Sequence, residues 1–594
     1  MPAADLPRPP APVAPAAETA TPRAVPAPAG GSSDAFLAAL LRRTGMLPDG
    51  LLERIPASER AENGLLDAIC RHAAIREEDL LRKLAPLLGL TFTTLSGSEP
   101  DREAIERLPA RAAIQYAAVP VHIQNGVLLV AASDPFNTGV ADGLRLAAGC
   151  PVRLTLSTRD DIQKAVRKYY GVGADTVEKM IEDGRFDADT EADISKLDLS
   201  ELGQEASIVR FVNQIIAEAD RQGSTDIHFE PMENELRIRY RIDGLLHKVD
   251  VPPQLNRLKA AITSRLKVMA NMDIAEKRMP MDGRIGIRVN AQDIDIRVST
   301  MPTVYGESVS LRLLQKSENF VRLGDLGMSE HDQNLIEKLI RRPNGIMLVT
   351  GPTGSGKSTS LYAFLHEINT MDQRILTAED PIEYEMPGIN QVAVKNDIGL
   401  SFARILRSFL RQDPDIIMVG EIRDAETADI AINASLTGHL VFSTLHTNDA
   451  AGAFVRLMDM GVEPFLVASA VAAVMAQRLV RRLCVHCRQP EPLDPARLGA
   501  VVLPSGVRPG QKLFTAGHCE ACSETGYRGR GGIFELLHVT DAIESQIIAR
   551  RSSTEIKQKA IEEGMRTLRD DGWDKVLRGV TTLEEVLRAT EENA

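Results

Sequence analysis

Three groups of residues in this sequence have the types and spacing to do chemistry. The first is Gly351-Pro-Thr-Gly-Ser-Gly-Lys-Ser358, which fits the pattern G-x-x-x-x-G-K-[ST]. Glycines at 351, 354 and 356 let backbone N–H groups turn inward around phosphate oxygens without Cβ clashes. Pro352, Thr353 and Ser355 fill the loop, and Thr359 continues it. Lys357 suits the β- and γ-phosphates of ATP, and the Ser358 hydroxyl suits Mg²⁺. The second group is a set of carboxylates and histidines at Glu379, Asp380, Glu383, Glu421, His439 and His446. The third is Cys484-Val-His-Cys487 and Cys519-Glu-Ala-Cys522, two C-x-x-C pairs with 31 residues between them. Four thiolates so paired suit tetrahedral Zn²⁺ and fill its shell, which makes the site structural rather than catalytic.

These groups need elements to hold them. Ile346–Thr350 reads as a short buried strand and Thr359–His366 as a helix, so the loop has the strand before it and helix after it that phosphate binding requires. Arg374–Glu383, Asp415–Asp424 and His439–His446 read as further buried strands. In a doubly wound parallel sheet, ligands sit outside the carboxyl ends of the strands. That rule brings Glu379, Asp380, Glu383, Glu421 and His446 to the phosphates, while His439, which opens its strand, is the weaker candidate. Phe465–Met475 is too short to span a bilayer and reads as a buried helix.

Residues 206–320 read differently. Ser207–Ala219 has amphipathic helical spacing, and Leu236-Arg-Ile-Arg-Tyr-Arg-Ile242 alternates, putting Arg237, Arg239 and Arg241 on one face. Ile285–Val289 and Ile294–Val298 alternate in the same way. The expectation is an antiparallel sheet with an arginine-bearing face that meets nucleotide, in this subunit or a neighbouring one.

Residues 34–170 predict a separate α/β domain, with helical spacing over 36–41, 65–69 and 79–85, a hairpin turning at Gln124-Asn125-Gly126, and closing helices over 141–148 and 160–169. Cys70 and Cys150 lack metal spacing and read as buried thiols. Residues 1–33 are a Pro/Ala-rich tail expected to be disordered, and 171–205 an acidic linker. Domain limits follow at 206–320, 321–483 for the nucleotide core, 484–536 for the four-cysteine subdomain and 537–594 for C-terminal helices.

The chain has 594 residues, 44% of them hydrophobic, with Lys+Arg 69 against Asp+Glu 82 for a net charge of −13. That balance argues against a general nucleic-acid binder. The sequence shows no secretory signal and no spanning run, so a cytoplasmic protein is expected.

On these motifs the chain resembles the secretion traffic ATPases: the type II secretion ATPase (general secretion pathway protein E) and its relative, the type IV pilus assembly ATPase. The resemblance covers nearly all of the chain after residue 34 and rests on four boxes: Gly351–Ser358 (Walker A), Ile375–Glu383 (aspartate box), Asp415–Glu421 (Walker B) and His439–His446 (histidine box). The family's Walker B carries Gly where most P-loop enzymes have Asp, as at Gly420 here. The resemblance implies that Glu421 helps hold Mg²⁺ through water, that Glu383 is the general base, and that Glu379, Asp380 and His446 support them. It matches Arg239, Arg241, Arg278, Arg284, Arg297 and Arg312 to nucleotide-contacting positions. It implies a PAS-like domain before a RecA-like one, six copies in a ring, and ATP-driven closure that moves an inner-membrane platform protein to build a periplasmic pseudopilus. A bitopic inner-membrane protein's cytoplasmic domain would be bound by the N-terminal domain, recruiting the chain to the inner membrane's cytoplasmic face. Some relatives bind cyclic di-GMP through an R-L-G-type motif, to which Leu41-Arg-Arg-Thr-Gly45 is no clear match, so that ligand is not expected. The long N-terminal domain and four cysteines separate the chain from retraction ATPases. Ala434–Gly438, His446–Asp449 and Gly461–Ser469 look more like the secretion branch than pilus assembly. A RecA-type DNA motor and a nucleotide-sensing scaffold are the competing readings; the charge argues against the first, and intact Lys357, Ser358, Glu383 and Glu421 against the second.

Overall fold

The computed structural model describes residues 40–41, 43–46, 51, 55, 65–95, 99–134, 139–182, 206–289, 292–315, 321–492 and 510–590. The expected tail over 1–33 lies outside them, as does Arg42 within Leu41–Gly45.

In the first domain, β1 (Ala118–Gln124) and β2 (Val127–Ala132) form the hairpin, with Asn125 at φ 53° and Gly126 at φ 76°. Positive φ at both central residues is what an Asn-Gly turn supplies and what matches the strands' twist. β3 (Val152–Leu156) adds in parallel to β2. Cys70 and Cys150 are only partly buried, a correction to their reading as buried thiols; both pack at core margins, and burial raises the Cys70 thiol to about 11.

The stretch read as linker begins as packed structure. Helix Ala174–Glu182 sends Val177 and Met180 into the next domain's core, and Glu178 accepts from the N–H groups of Ala110 and Arg111, both at 2.8 Å. The acidic average of the whole window hides this short apolar face. Residues 183–205 lie outside the described ones.

The second domain is a six-stranded antiparallel sheet of β4 (Ser224–Pro231), β5 (Leu236–Ile242), β6 (Leu245–Lys248), β7 (Met281–Val289), β8 (Gln292–Thr303) and β9 (Gly306–Gln315), in the order β6-β5-β4-β9-β8-β7. Helix Ala206–Arg221 buries Ile208, Phe211, Val212, Ile215, Ile216 and Ala219, the 3.6-residue stripe of one face, against Ile227, Phe229, Ile238 and Tyr240 of the sheet. Covering one face with helices leaves the arginines on the other.

The third domain is a seven-stranded sheet. Its strands β10 (Gly345–Thr350), β11 (Ile375–Glu379), β12 (Asn390–Ala393), β13 (Ile416–Val419), β14 (Leu440–Leu445) and β15 (Val471–Leu483) are parallel, and β18 (Tyr527–His538) closes the edge antiparallel to β15. The order is β12-β11-β13-β14-β10-β15-β18. β10, β11, β13 and β14 are buried at every position because helices cover both faces, which is why they read as unbroken apolar runs. The run at 465–475 corrects the helix reading. Residues Pro464–Ala470 are helical, but Val471 opens β15 against β10. A short run buried on both faces has no period to tell helix from strand. Between β15 and β18 lies a two-stranded ribbon of β16 (Gln489–Pro492) and β17 (Lys512–Thr515). β18 begins inside the stretch assigned to the cysteine subdomain, so that boundary cuts through the main sheet.

Four helices follow, Asp541–Ile548, Ser553–Glu562, Leu568–Leu577 and Leu583–Thr590. The last is tied back to the sheet by Glu585, whose carboxylate accepts from Arg481 and Arg588, both at 2.8 Å. Burial opposes its ionisation, but the two guanidinium groups outweigh burial and hold its pKa at about 2. A pKa below the unfolded value of about 4.5 stabilises the fold above that pH and loses its effect as pH falls towards 2. Glu585→Ala is expected to cost about 3 kcal/mol at pH 7 in chemical denaturation. The gap to the native chain should shrink between about pH 4.5 and 2.

Candidate functional site: a phosphate cleft and a four-cysteine cluster

β10 ends in Thr350, whose buried hydroxyl lies 2.6 Å from that of Thr447 and donates to the Leu445 carbonyl at 3.1 Å. The chain then turns at Gly351, where φ is +148° and a Cβ would stand 2.6 Å from the Gln477 carbonyl oxygen. Gly356, at φ +89°, opens the helix Lys357–Ile368 with room for no side chain against Gln477 Nε2. Ser355 Oγ is buried with no hydrogen-bond partner. Lys357 Nζ donates to the carbonyls of Gly351 (2.8 Å) and Pro352 (3.2 Å). Burial lowers the Lys357 pKa; Glu421 opposes that and Arg478 adds to it. A desolvated cation, an unsatisfied hydroxyl and a helix N-terminus together fit a phosphate chain.

Over this loop lies a cavity of about 650 Å³ between the third domain and the arginine face of the second. Glu379, Asp380, Glu383, Glu421 and His446 line it together with residues Thr353–Thr359 of the loop. Their environments differ. Glu379 is 4% exposed, with Oε1 accepting from Thr377 (2.5 Å) and Gln391 (3.0 Å) and Oε2 from the Tyr362 hydroxyl. Every oxygen it has is engaged in holding structure. Glu383 is freer: its side chain is 34% exposed, and Oε2 meets Arg297 at 3.3 Å. Glu421 accepts from Arg423 on one oxygen and lies 3.2 Å from His446 Nε2 on the other. Burial opposes its ionisation, but Arg423 and His446 outweigh it and hold its carboxyl below the usual range. At Gly420 a Cβ would stand 3.3 Å from the Ala378 carbonyl, so β11 crowds any side chain there. His439 lies at the opposite end of β14, its Nδ1 2.9 Å from the Ala434 carbonyl, and does not line the cleft.

The six arginines divide. Arg297 and Arg312 line the cleft, whereas Arg239, Arg241, Arg278 and Arg284 do not. Strand register explains this. Arg241, Asp226, Arg312, Arg297 and Arg284 are successive cross-strand partners over β5-β4-β9-β8-β7. Only the part of that row facing the loop reaches it. Asp226 binds Arg312 at 2.9 Å and Arg241 at 3.7 Å. Arg239 pairs with Glu230 at 2.5 Å and exposed Arg278 with Glu276 at 2.9 Å, while Arg284 lines an adjoining cavity of about 1130 Å³ that shares Arg297 and Glu383 with the cleft. Sequence reading missed Tyr362, Arg423, Gln477 and Arg478. Arg423, two residues from Glu421 at the end of a buried strand, carried a signal; Gln477 and Arg478 lie just past the misread run, further along the strand that it opens.

Antiparallel pairing of β15 with β18 sets Leu483 opposite Tyr527, which brings the two C-x-x-C pairs together. Cys484 and Cys519 sulfurs lie 3.7 Å apart, Cys487 and Cys522 3.8 Å, and Cys519 and Cys522 3.6 Å. Four sulfurs at about 2.3 Å from one tetrahedral ion lie about 3.8 Å from one another. No sulfur pair is disulfide-bonded, all four are within 4.8 Å, and the Gly526 N–H donates to Cys522 Sγ at 3.2 Å. The cluster fits a tetrahedral metal. Among the described residues no helix is long and apolar enough to cross a membrane.

The fold and the cleft define a P-loop ATPase. The description "Type II/IV secretion system protein" matches residues 201–588, more than half of the chain, and "MshEN domain" matches 88–176. The chain belongs to the type II/IV secretion system protein family. It is 41% identical to the type II secretion system protein E of Xanthomonas campestris pv. campestris over 93% of this chain and 98% of that one. It is 51% identical to the same-named protein of Pseudomonas aeruginosa over 66% of this chain and 78% of that one. It is 44% identical to the type IV pilus assembly ATPase PilB of Thermus thermophilus over 90% of this chain and 60% of that one.

Elemental analysis of the purified chain should find about one tightly bound divalent metal per chain, lost in Cys484→Ser. That loss should lower Tm by roughly 5–10 °C.

Proposed function

We propose that this chain hydrolyses ATP to drive pseudopilus assembly and protein export through a type II secretion system. The observation that carries the reading is the match, over nearly its whole length, to a relative named type II secretion system protein E. Lys357 and the loop N–H groups would bind the β- and γ-phosphates, and Ser358 with Glu421 would hold Mg²⁺, which neutralises phosphate charge. Glu383 would take the proton of the attacking water. Its contact with Arg297 suggests how the step is gated: phosphate in the cleft competes for Arg297 and frees Glu383 as acceptor. Arg312 would offset charge from the same side.

Zinc is the metal that the four cysteines suit. Six copies would form a ring, and Arg278 and Arg284, which lie off their own chain's cleft, would face a neighbouring subunit there. The N-terminal domain would bind the cytoplasmic domain of a bitopic inner-membrane protein, holding the ring at the membrane's cytoplasmic face beside the platform. Pilus assembly is the second reading, favoured by the 44% identity to a PilB; restoration of secretion rather than piliation in the matching deletion strains separates the two.

ATP turnover per subunit should rise with protein concentration as rings form. Lys357→Ala should lose nucleotide binding, while Glu383→Gln should keep binding and lose about 100-fold or more in kcat. Normal turnover in Glu383→Gln would remove Glu383 as the base.

A further inference from the structure

Tyr362 lies in the helix that follows the phosphate loop, five residues after Lys357, and lines the cleft. It is 4% exposed. Its phenol group stands between two acidic residues with different surroundings. It donates to Oε2 of the buried Glu379, and its oxygen accepts from the Glu383 backbone N–H at 3.1 Å. Ring packing against Tyr384, at 5.7 Å between centroids and 62° between planes, fixes the phenol's direction. Glu379 is itself fixed by Thr377 and Gln391. Gln391 also holds the far side of the loop that carries Glu383, donating to the Tyr384 carbonyl at 2.9 Å and accepting from the Met386 N–H at 2.7 Å.

A loop residue otherwise positions its side chain only as well as its backbone is held. From this geometry we infer that Tyr362 is a positioning residue: its hydroxyl fixes the backbone of Glu383 relative to the phosphate loop, and so sets the reach of the Glu383 carboxylate to the attacking water. The inference rests on the reading of Glu383 as the base. It gives the buried Glu379 a task that does not require contact with nucleotide: its carboxylate orients the phenol. Because Tyr362 and Lys357 share one helix, a single rigid element sets both the phosphate and the base that acts beside it. A shift of about 1 Å between them costs up to about 100-fold in rate without weakening substrate binding.

Tyr362→Phe keeps the ring and removes only the hydroxyl. At protein concentrations where turnover per subunit has levelled off, kcat should fall at least about 10-fold, with KM for ATP and Tm nearly unchanged. Glu379→Gln, a second variant should the first prove unstable, should move kcat in the same direction with KM unchanged. In the Glu383→Gln background, Tyr362→Phe should have no further effect on residual turnover, because the hydroxyl acts through residue 383 alone. The inference is overturned if Tyr362→Phe keeps kcat within about twofold, if its loss appears equally in KM and Tm, or if it lowers turnover further in Glu383→Gln. A Glu383→Gln chain with native turnover would be a failure of the base assignment instead, read from that single variant.

Discussion

The site depends on how β10 is clamped. β10 pairs on one side with β14 and on the other with β15, and its last side chain, Thr350, bonds across to Thr447. The chain must then reverse over Gln477 and Arg478 at a distance that admits no Cβ, so Gly351 is a packing requirement as well as a conformational one. This crossing fixes where the phosphate loop sits relative to β11 and β13, whose ends supply the carboxylates. One strand, β14, lies between β10 and β13, and it carries His446 to the carboxylate of Glu421.

Charge is the second constraint. Arg284, Arg297 and Arg312 face one another across neighbouring strands, an arrangement that costs stability unless anions answer it. Asp226 answers Arg312, and Glu383, from the other domain, answers Arg297. The ion pair between Arg297 and Glu383 is therefore a contact between the two domains at the cleft. The Asp243 carboxylate accepting from the Gly529 N–H at 2.9 Å makes a second bridge between the same two bodies.

Much was legible in the chain. The Asn-Gly hairpin, the amphipathic helix before the antiparallel sheet, the phosphate loop in its strand and helix, and the paired cysteines all depend on local rules: a φ sign, a 3.6-residue stripe, a spacing. What misled was also local. The acidic window over 171–205 masked a nine-residue helix, and the apolar run at 465–475 gave no period because β15 is covered on both sides.

The sequence by itself determined the residue types of the cleft, the glycines of its loop and the paired thiols of the cysteine cluster, because backbone freedom, charge and ligand type belong to residues. Only the tertiary structure decided which residues share the cleft. Strand register placed Arg297 and Arg312 at the cleft with Arg284 one strand further out, and helix packing set Tyr362 between Glu379 and Glu383. Those choices depend on how one element is laid against another far along the chain, and no spacing within either element contains that distance.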